Sequence, residues 1–408
     1  MTTTAHPTTE LSRPVFLTDG AWSAAVPVLR RLRTLLGELG FERTRVLPMP
    51  GSQLDLVMEP ASVRNHLAGR SNLFDRSPLA GLHRRALGRT LPTAAAAHEL
   101  FTLCRPAPIA EVRSLLGGNL VDDLLAVSVL SEQPDSMVRT DVLAVPFRGG
   151  LYLADPPRLQ HDPDYVYLGR SSFTIPQHLI GGGWWPPHDA GSPRVLDLGC
   201  GSGVGLIPLA GPGIEAVGAD IVERCLRFGR VNAALNGVDA DFRWSDVLSG
   251  VDGDFDLVIL NSPCMWEELQ TQTFAGGGGD YGTSLPMRMI GESLDRLRPD
   301  GRLAAVVSAP VFDDREYPYV FDAIGRATQG RSMQVDVTPL ITEFEHVHAG
   351  VFRRHRITQL VRYLVVMRAA ERPSVEMLPP VDRLRYGGYW ARTLPARGLS
   401  RVRPATRR

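Results

Sequence analysis

The segment that most limits what this 408-residue chain can fold into is Val195-Leu-Asp-Leu-Gly-Cys-Gly-Ser-Gly-Val-Gly205. A short apolar run ends in an acid and enters closely spaced glycines, the pattern of a buried parallel strand at Arg194–Leu198 followed by a tight turn. Gly199, Gly201 and Gly203 can take positive φ and let the backbone lie against a ligand where a Cβ would intrude. The dinucleotide fingerprint G-x-G-x-x-G fails in both registers, because Val204 and Leu206 stand where the third glycine should be. Asp197, inside the turn, would repel a pyrophosphate but could accept from a cationic amino group. A purely structural glycine turn is the alternative.

A second strand, residues 215–219, ends in Asp220 and Ile221, about 20 residues past the glycines, where an acid can chelate ribose hydroxyls. A helix is expected over residues 222–236, stopped by Gly237. Next comes Asp241-Phe-Arg-Trp-Ser-Asp246-Val247, and then a strand, Phe255–Leu260, leading into Asn261-Ser-Pro-Cys264. Together these motifs resemble the class I S-adenosylmethionine (SAM) methyltransferases. Asn261-Ser-Pro-Cys264 is similar to the Asn-Pro-Pro-Tyr signature of amino-methyltransferases, including the release-factor glutamine N5-methyltransferases and the base N-methyltransferases of DNA and RNA. Asn261 and Pro263 match it; Ser262 and Cys264 depart, and Trp266 lies close enough to supply a ring.

The resemblance covers roughly residues 168–368 and implies an α/β fold, a Rossmann-like seven-stranded class I methyltransferase sheet, with SAM as cofactor. It implies that Asp197 and the glycine loop hold the methionine part, Asp220 and Ile221 the ribose, and Asp246 and Val247 the adenine. Asn261 and Pro263 would position an acceptor nitrogen, the asparagine oxygen accepting from it so that its lone pair faces the methyl group. Residues 169–178, with Phe173 and Thr174, occupy the place of the segment that folds over the cofactor. Downstream, Gly276-Gly-Gly-Gly-Asp-Tyr-Gly282 and a helix over 287–297 precede the turn 298–302 and a strand over 303–308. Strands over 332–341 and 357–367 fit the antiparallel pair that closes such a sheet.

The loop Thr342-Glu-Phe-Glu-His-Val-His348 should open on the same face as Asn261. With Glu267 and Glu268 it could hold an ammonium or guanidinium group, and either His346 or His348 could accept a proton. The alternative is that these acids are solvated loop residues. An isolated H-x-H is weak as a metal signal, and no metal is expected.

The first 165 residues read as a helix over 24–39, a hairpin over 41–58, and three helices over 93–103, 109–116 and 120–130. Strands over 137–145 and 151–154 follow, joined by Phe147-Arg-Gly-Gly150. Three helices and a hairpin suggest a winged helix. Its third helix, taken as residues 119–135, carries Asp122, Asp123, Glu132 and Asp135 and no Arg, which argues against nucleic acid as a partner. The expected role is dimerisation into a homodimer or coverage of the substrate.

Charge balances at 44 acidic against 44 basic residues, so no global field pulls toward nucleic acid. Every one of those basic residues is Arg, which excludes a Schiff-base lysine and lysine-type P-loop chemistry. The four cysteines include no C-x-x-C pair, against structural zinc and a disulfide framework. No apolar run reaches membrane-spanning length and the Thr-rich start lacks a signal pattern, so a cytoplasmic protein is expected. The tail from Arg383 carries eight Arg and no acid; it is either an RNA- or partner-contacting arm or a segment that packs and then becomes disordered. The expected division is a disordered 1–20, an N-terminal domain 21–165, a methyltransferase domain 166–370 and a basic extension 371–408. The expected function is N-methylation of a small-molecule or amino-acid-like acceptor. The alternatives are a protein glutamine or rRNA N-methyltransferase, an O-methyltransferase with a histidine base, and a non-catalytic SAM-binding DNA regulator.

Overall fold

The computed structural model describes residues 17, 22–41, 92–160, 162–181, 185, 191–264, 266, 268, 279–316, 318–343 and 349–378. The N-terminal elements begin with α1 (Trp22–Glu38), whose Ala25, Leu29, Leu32 and Leu36 recur at helical spacing and are all buried. After it come α2 (Pro92–Phe101), the short β1 (Ala107–Pro108), α3 (Ile109–Leu116), α4 (Gly118–Ala126), β2 (Leu130–Gln133) and β3 (Met137–Thr140). The three strands form an antiparallel sheet in the order β1-β3-β2. A separate hairpin follows, made of β4 (Leu143–Phe147) and β5 (Gly150–Ala154).

Two expectations for this region need correction. The helix taken to reach residue 135 ends at Ala126: Ser128 turns to φ 58°, and Leu130–Gln133 pairs with β3. Glu132 and Asp135 therefore lie in a strand and a turn. Asp122 is paired with Arg113 and Asp123 with Arg31, each at 2.5 Å, so the charge held against nucleic acid is balanced on the spot. The strand taken as 137–145 is two strands, and the 147–150 turn closes the separate hairpin rather than a wing of the three-stranded sheet. Of the hairpin expected over 41–58, residues 42–58 lie outside the described residues.

The rest of the chain supplies α5 (Thr174–Gly181), β6 (Arg194–Leu198), β7 (Glu215–Asp220), α6 (Glu223–Asn236), β8 (Asp241–Trp244), β9 (Phe255–Leu260) and α7 (Ser284–Leu294). It continues with β10 (Leu297–Phe312), α8 (Tyr319–Ala327), β11 (Met333–Glu343), α9 (Ala349–Arg354), β12 (Ile357–Ala369) and β13 (Ser374–Met377). One sheet forms in the order β13-β11-β12-β10-β9-β6-β7-β8. β10, β9, β6, β7 and β8 run parallel, and β12 is antiparallel to both β10 and β11. The seven expected strands are present. β13 adds an eighth, parallel to β11, from a short and mostly exposed segment, Ser374-Val-Glu-Met377.

Successive residues of the central strands point into opposite layers, which is why these strands are apolar throughout. Val195, Leu257 and Ile259 face one core with α6 and the N-terminal elements; Leu196, Val258 and Leu260 face the other with α7 and α8. The first core runs unbroken from α1 through the β4–β5 hairpin to α6. Asp155, just past β5, accepts from Arg224 Nε at 2.8 Å and from Val166 N at 2.9 Å, tying the same regions together in a buried ion pair. Among the described residues no helix is long and apolar enough to cross a membrane.

Candidate active site

From β6 the chain moves outward through β7 to β8, then returns to the other side of β6 as β9. Loops leaving the carboxyl ends of two such neighbours diverge, and the crevice between them is where an open parallel sheet places its ligand. Here those loops are the glycine segment after β6 and Asn261-Ser-Pro-Cys264 after β9. They run close together: a Cβ built on Gly199 would stand 4.0 Å from the Cα of Ser262.

Gly199, Gly201 and Gly203 have φ of 77°, 52° and 77°, conformations that glycine adopts without a steric cost. Gly199 N and Cys200 N both donate to Ala219 O at the end of β7, at 2.8 and 3.0 Å. Gly201 N donates to Asp220 Oδ2 at 2.9 Å, and a Cβ on Gly201 would face open space, so the loop leaves a cradle over the sheet end. Asp220 Oδ1 accepts from Val222 N at 2.9 Å, and Asp220 O accepts from Ser245 N at 3.0 Å, which starts Asp246 and Val247 from the same corner. Ile221 is 43% exposed, a bare apolar side chain beside the acid. Val247 is buried at φ 51°, and exposed Asp246 has Arg288 Nη1 at 3.8 Å.

Asp197 is turned toward the loop itself. Its carboxylate is buried, accepts the backbone N–H of Leu206 and lies where a Cβ on Gly205 would stand 2.6 Å from Oδ2. Burial, and second the charge of Asp220, push Asp197 up to about 8. Burial likewise raises Asp220. Neither carboxylate has an ion-pair partner among the described residues, so the corner suits a cationic, hydroxyl-bearing ligand.

In the loop after β9, Asn261 and Pro263 are half-buried. Ser262 is buried, and its Oγ has no hydrogen-bond partner among the described residues. Cys264 is buried with Sγ 3.5 Å from Ser308 Oγ. Trp266 does not stand free as a replacement aromatic: its ring is 8% exposed, packed 5.0 Å from Tyr281 and edge-on to His355 at 4.7 Å. Tyr281 and Gly282 both have positive φ, and a Cβ on Gly282 would stand 2.2 Å from Cys264 O, so this segment presses directly on the loop after β9. Glu268 is paired with Arg354 and with His355 Nε2 at 2.8 Å, which matches its charge internally instead of offering it to a substrate cation. Glu267, His346 and His348 lie outside the described residues. Phe173 is fully buried 4.7 Å from Phe147, a packing contact with the N-terminal hairpin, and Thr174 opens α5, half-buried.

Residues 187–315 match the family model of the methyltransferase small domain. Over 150 residues the chain is 32% identical to a Methanocaldococcus jannaschii protein assigned as a protein N5-glutamine methyltransferase, covering 35% of this chain and 72% of that one. The chain belongs to the small-domain family of SAM-dependent methyltransferases. This SAM-dependent methyltransferase is also 30% identical over 134 residues to the ribosomal RNA small subunit methyltransferase C of Alcanivorax borkumensis, covering 33% of this chain and 36% of that one. It is 31% identical over 122 residues to the release factor glutamine methyltransferase of Deinococcus radiodurans, covering 27% and 44%. The chain thus spans between about a third and under half of the length of these last two relatives. SAM is the cofactor, and the site suits it: a sulfonium and an ammonium bring positive charge to a corner holding two enclosed acids, and the open cradle at Gly201 admits the chain of the ligand.

Several residues that shape the site belong to no motif. Asn232 and Asn236 on α6 hold the β4–β5 hairpin, Arg224 meets Asp155 across 69 residues of sequence, and Tyr281 backs Trp266 in the loop after β9. The i, i+4 spacing of the two asparagines on an otherwise apolar helix face was the available signal.

Proposed function

We propose that this methyltransferase acts on nitrogen, specifically the side-chain amide of a glutamine in a protein acceptor. The reading is supported by the loop after β9, which Asn261 opens and whose Ser262 lies near Gly199 of the glycine loop, in a chain whose best-covered relative named above carries N5-glutamine methylation in its name. SAM, when bound, supplies an electrophilic methyl group. Asn261 Oδ1 and a carbonyl of the same loop accept from the amide N–H groups and aim the nitrogen, so that catalysis is mainly proximity and orientation. Gly199, Gly201 and Gly203 hold the methionine end, Asp220 and Ile221 the ribose, and Asp246 and Val247 the adenine, with Thr174 at the rim. Asp197 keeps the turn closed. Pro263 stiffens the acceptor loop, and the Trp266–Tyr281 pair walls it.

A protein acceptor takes precedence over a free small molecule because the relatives named above carry macromolecular acceptors in their names. The N-terminal order α2-β1-α3-α4-β2-β3, with the sheet ordered β1-β3-β2, supports a winged-helix unit, while α1 and the β4–β5 hairpin are what pack on α6. The catalytic unit begins near residue 166 and extends past the expected limit of 370 to include β13.

The test is methyl transfer from labelled SAM to release factors, ribosomal proteins, ribosomal RNA and extracted metabolites, with wild type and Asn261→Ala side by side. Label on a protein glutamine, lost in Asn261→Ala while SAM still binds, supports the reading. Label only in RNA or only in small metabolites overturns the acceptor class. Unchanged turnover by Asn261→Ala overturns the role of that side chain.

A further inference from the structure

The N-terminal hairpin and the cofactor loop share one side chain. Asn232, in the third turn of α6, is fully buried. Its Oδ1 accepts from Leu153 N at 2.8 Å, and its Nδ2 donates both to Leu153 O at 2.9 Å and to Ser202 O at 2.8 Å. One primary amide thereby closes a two-bond ring with the edge of β5 and uses its remaining proton on the glycine loop. One turn later Asn236 repeats the strand contact: Oδ1 accepts from Leu151 N at 3.0 Å and Nδ2 donates to Leu151 O at 2.9 Å. Its second proton goes to Asn232 O at 2.8 Å and never reaches the loop. The two residues are matched in what they do to the hairpin and differ in what they do to Ser202.

We propose that Asn232 is a positioning residue for cofactor binding, coupling the N-terminal hairpin to the glycine loop by holding Ser202 O and Leu153 on the same amide. Ser202 lies between Gly201 and Gly203, in a loop whose positive-φ glycines leave its path open to alternatives. The neighbouring bonds to Ala219 O fix where the loop starts; the bond from Asn232 fixes its middle. Removing the amide leaves a buried carbonyl without a donor, and the loop must shift or admit water to satisfy it. The hairpin is itself anchored by the Asp155–Arg224 pair and by α1, whose Arg33 donates to Gly149 O in the hairpin turn and to Leu235 O on α6 at 3.0 Å. The N-terminal region thus contributes to SAM affinity without touching SAM.

The inference rests on the glycine loop as part of the SAM site, which Asp220→Ala tests independently. The experiment measures SAM affinity by calorimetric titration on the full chain, with Tm recorded for each variant so that titrations run well below unfolding. Asn232→Ala should weaken SAM binding about five- to tenfold, because the free loop relaxes to satisfy the stranded Ser202 carbonyl and must be drawn back on binding. Asn236→Ala should lower Tm comparably and leave SAM affinity within about twofold. If Asn232→Ala does not fold, Asn232→Ser, which keeps a smaller polar group, carries the same comparison. Equal weakening by the Asn232 and Asn236 variants would overturn the coupling, because hairpin docking in general would then explain it. Unchanged affinity in both, with binding lost in Asp220→Ala, would overturn it as well. Unchanged affinity in all three would overturn the site assignment beneath it.

Discussion

Asp197→Asn isolates the ionisable group that burial encloses beneath the glycine loop. The substitution keeps an oxygen to accept from Leu206 N–H and removes the ionisable proton. In the folded protein Asp197 is raised from 3.8 to about 8, chiefly by burial and then by Asp220. An acid raised on folding contributes its full stability below its unfolded value, near pH 4, and that stability drains away as pH climbs to about 8. One proton corresponds to at most about 1.4 kcal/mol per pH unit, so by pH 7 the accumulated loss is on the order of 4 kcal/mol, shared with Asp220 because the two acids repel. For a chain of this size that slope is roughly 1–3 °C in Tm per pH unit. The assay is thermal unfolding of SAM-free wild type and Asp197→Asn at pH 5, 6, 7 and 8 at fixed ionic strength. Wild type should lose stability across this window while the variant's curve is flatter by about that slope. Because SAM brings positive charge, its affinity for wild type should rise as pH approaches 8 and rise less for the variant. Parallel melting curves from pH 5 to 8 would refute the reasoning.

Gly282→Ala should injure acceptor positioning selectively: its Cβ would stand 2.2 Å from Cys264 O at φ 77°, so the loop carrying Asn261 must move. The expected outcome is a fall in kcat of about tenfold or more with SAM affinity unchanged within twofold; a normal kcat measured at saturating SAM counts against the idea that this segment sets the loop. Asp155→Ala should cost about 3–5 kcal/mol in urea unfolding, since it strands the buried Arg224 guanidinium and removes the acceptor of Val166 N. A loss below about 1 kcal/mol would mean that the pair is not enclosed as described.

Sequence by itself determined the features written within a few neighbouring residues. A strand that must be apolar on both faces and a turn that must reverse within a few residues leave local traces, so β6, β7 and β9, the glycine loop, Asp220 and the Asn261 segment were legible before any coordinates. The stop of α6 at Gly237, which takes φ 68°, was legible for the same reason. What failed locally was the end of α4: Leu130 continues the apolar spacing of the helix, and only pairing with β3 across the turn makes it a strand.

Tertiary structure alone decided which side chains face one another. Asp197 is enclosed beneath its own turn and accepts Leu206 N–H; Trp266 was expected to offer a ring and is walled in by Tyr281 and His355; Glu268 is consumed by Arg354 and His355. Asn232 meets Leu153 across 79 residues and Ser202 across 30, distances at which no periodicity or turn rule carries information. Burial and hydrogen-bond satisfaction are properties of the packed interior, where a polar group must find whichever partner the fold brings to it. The family and the glycine loop are therefore written along the chain, and the bonds by which Asn232 joins the N-terminal hairpin to that loop exist only once the chain has folded.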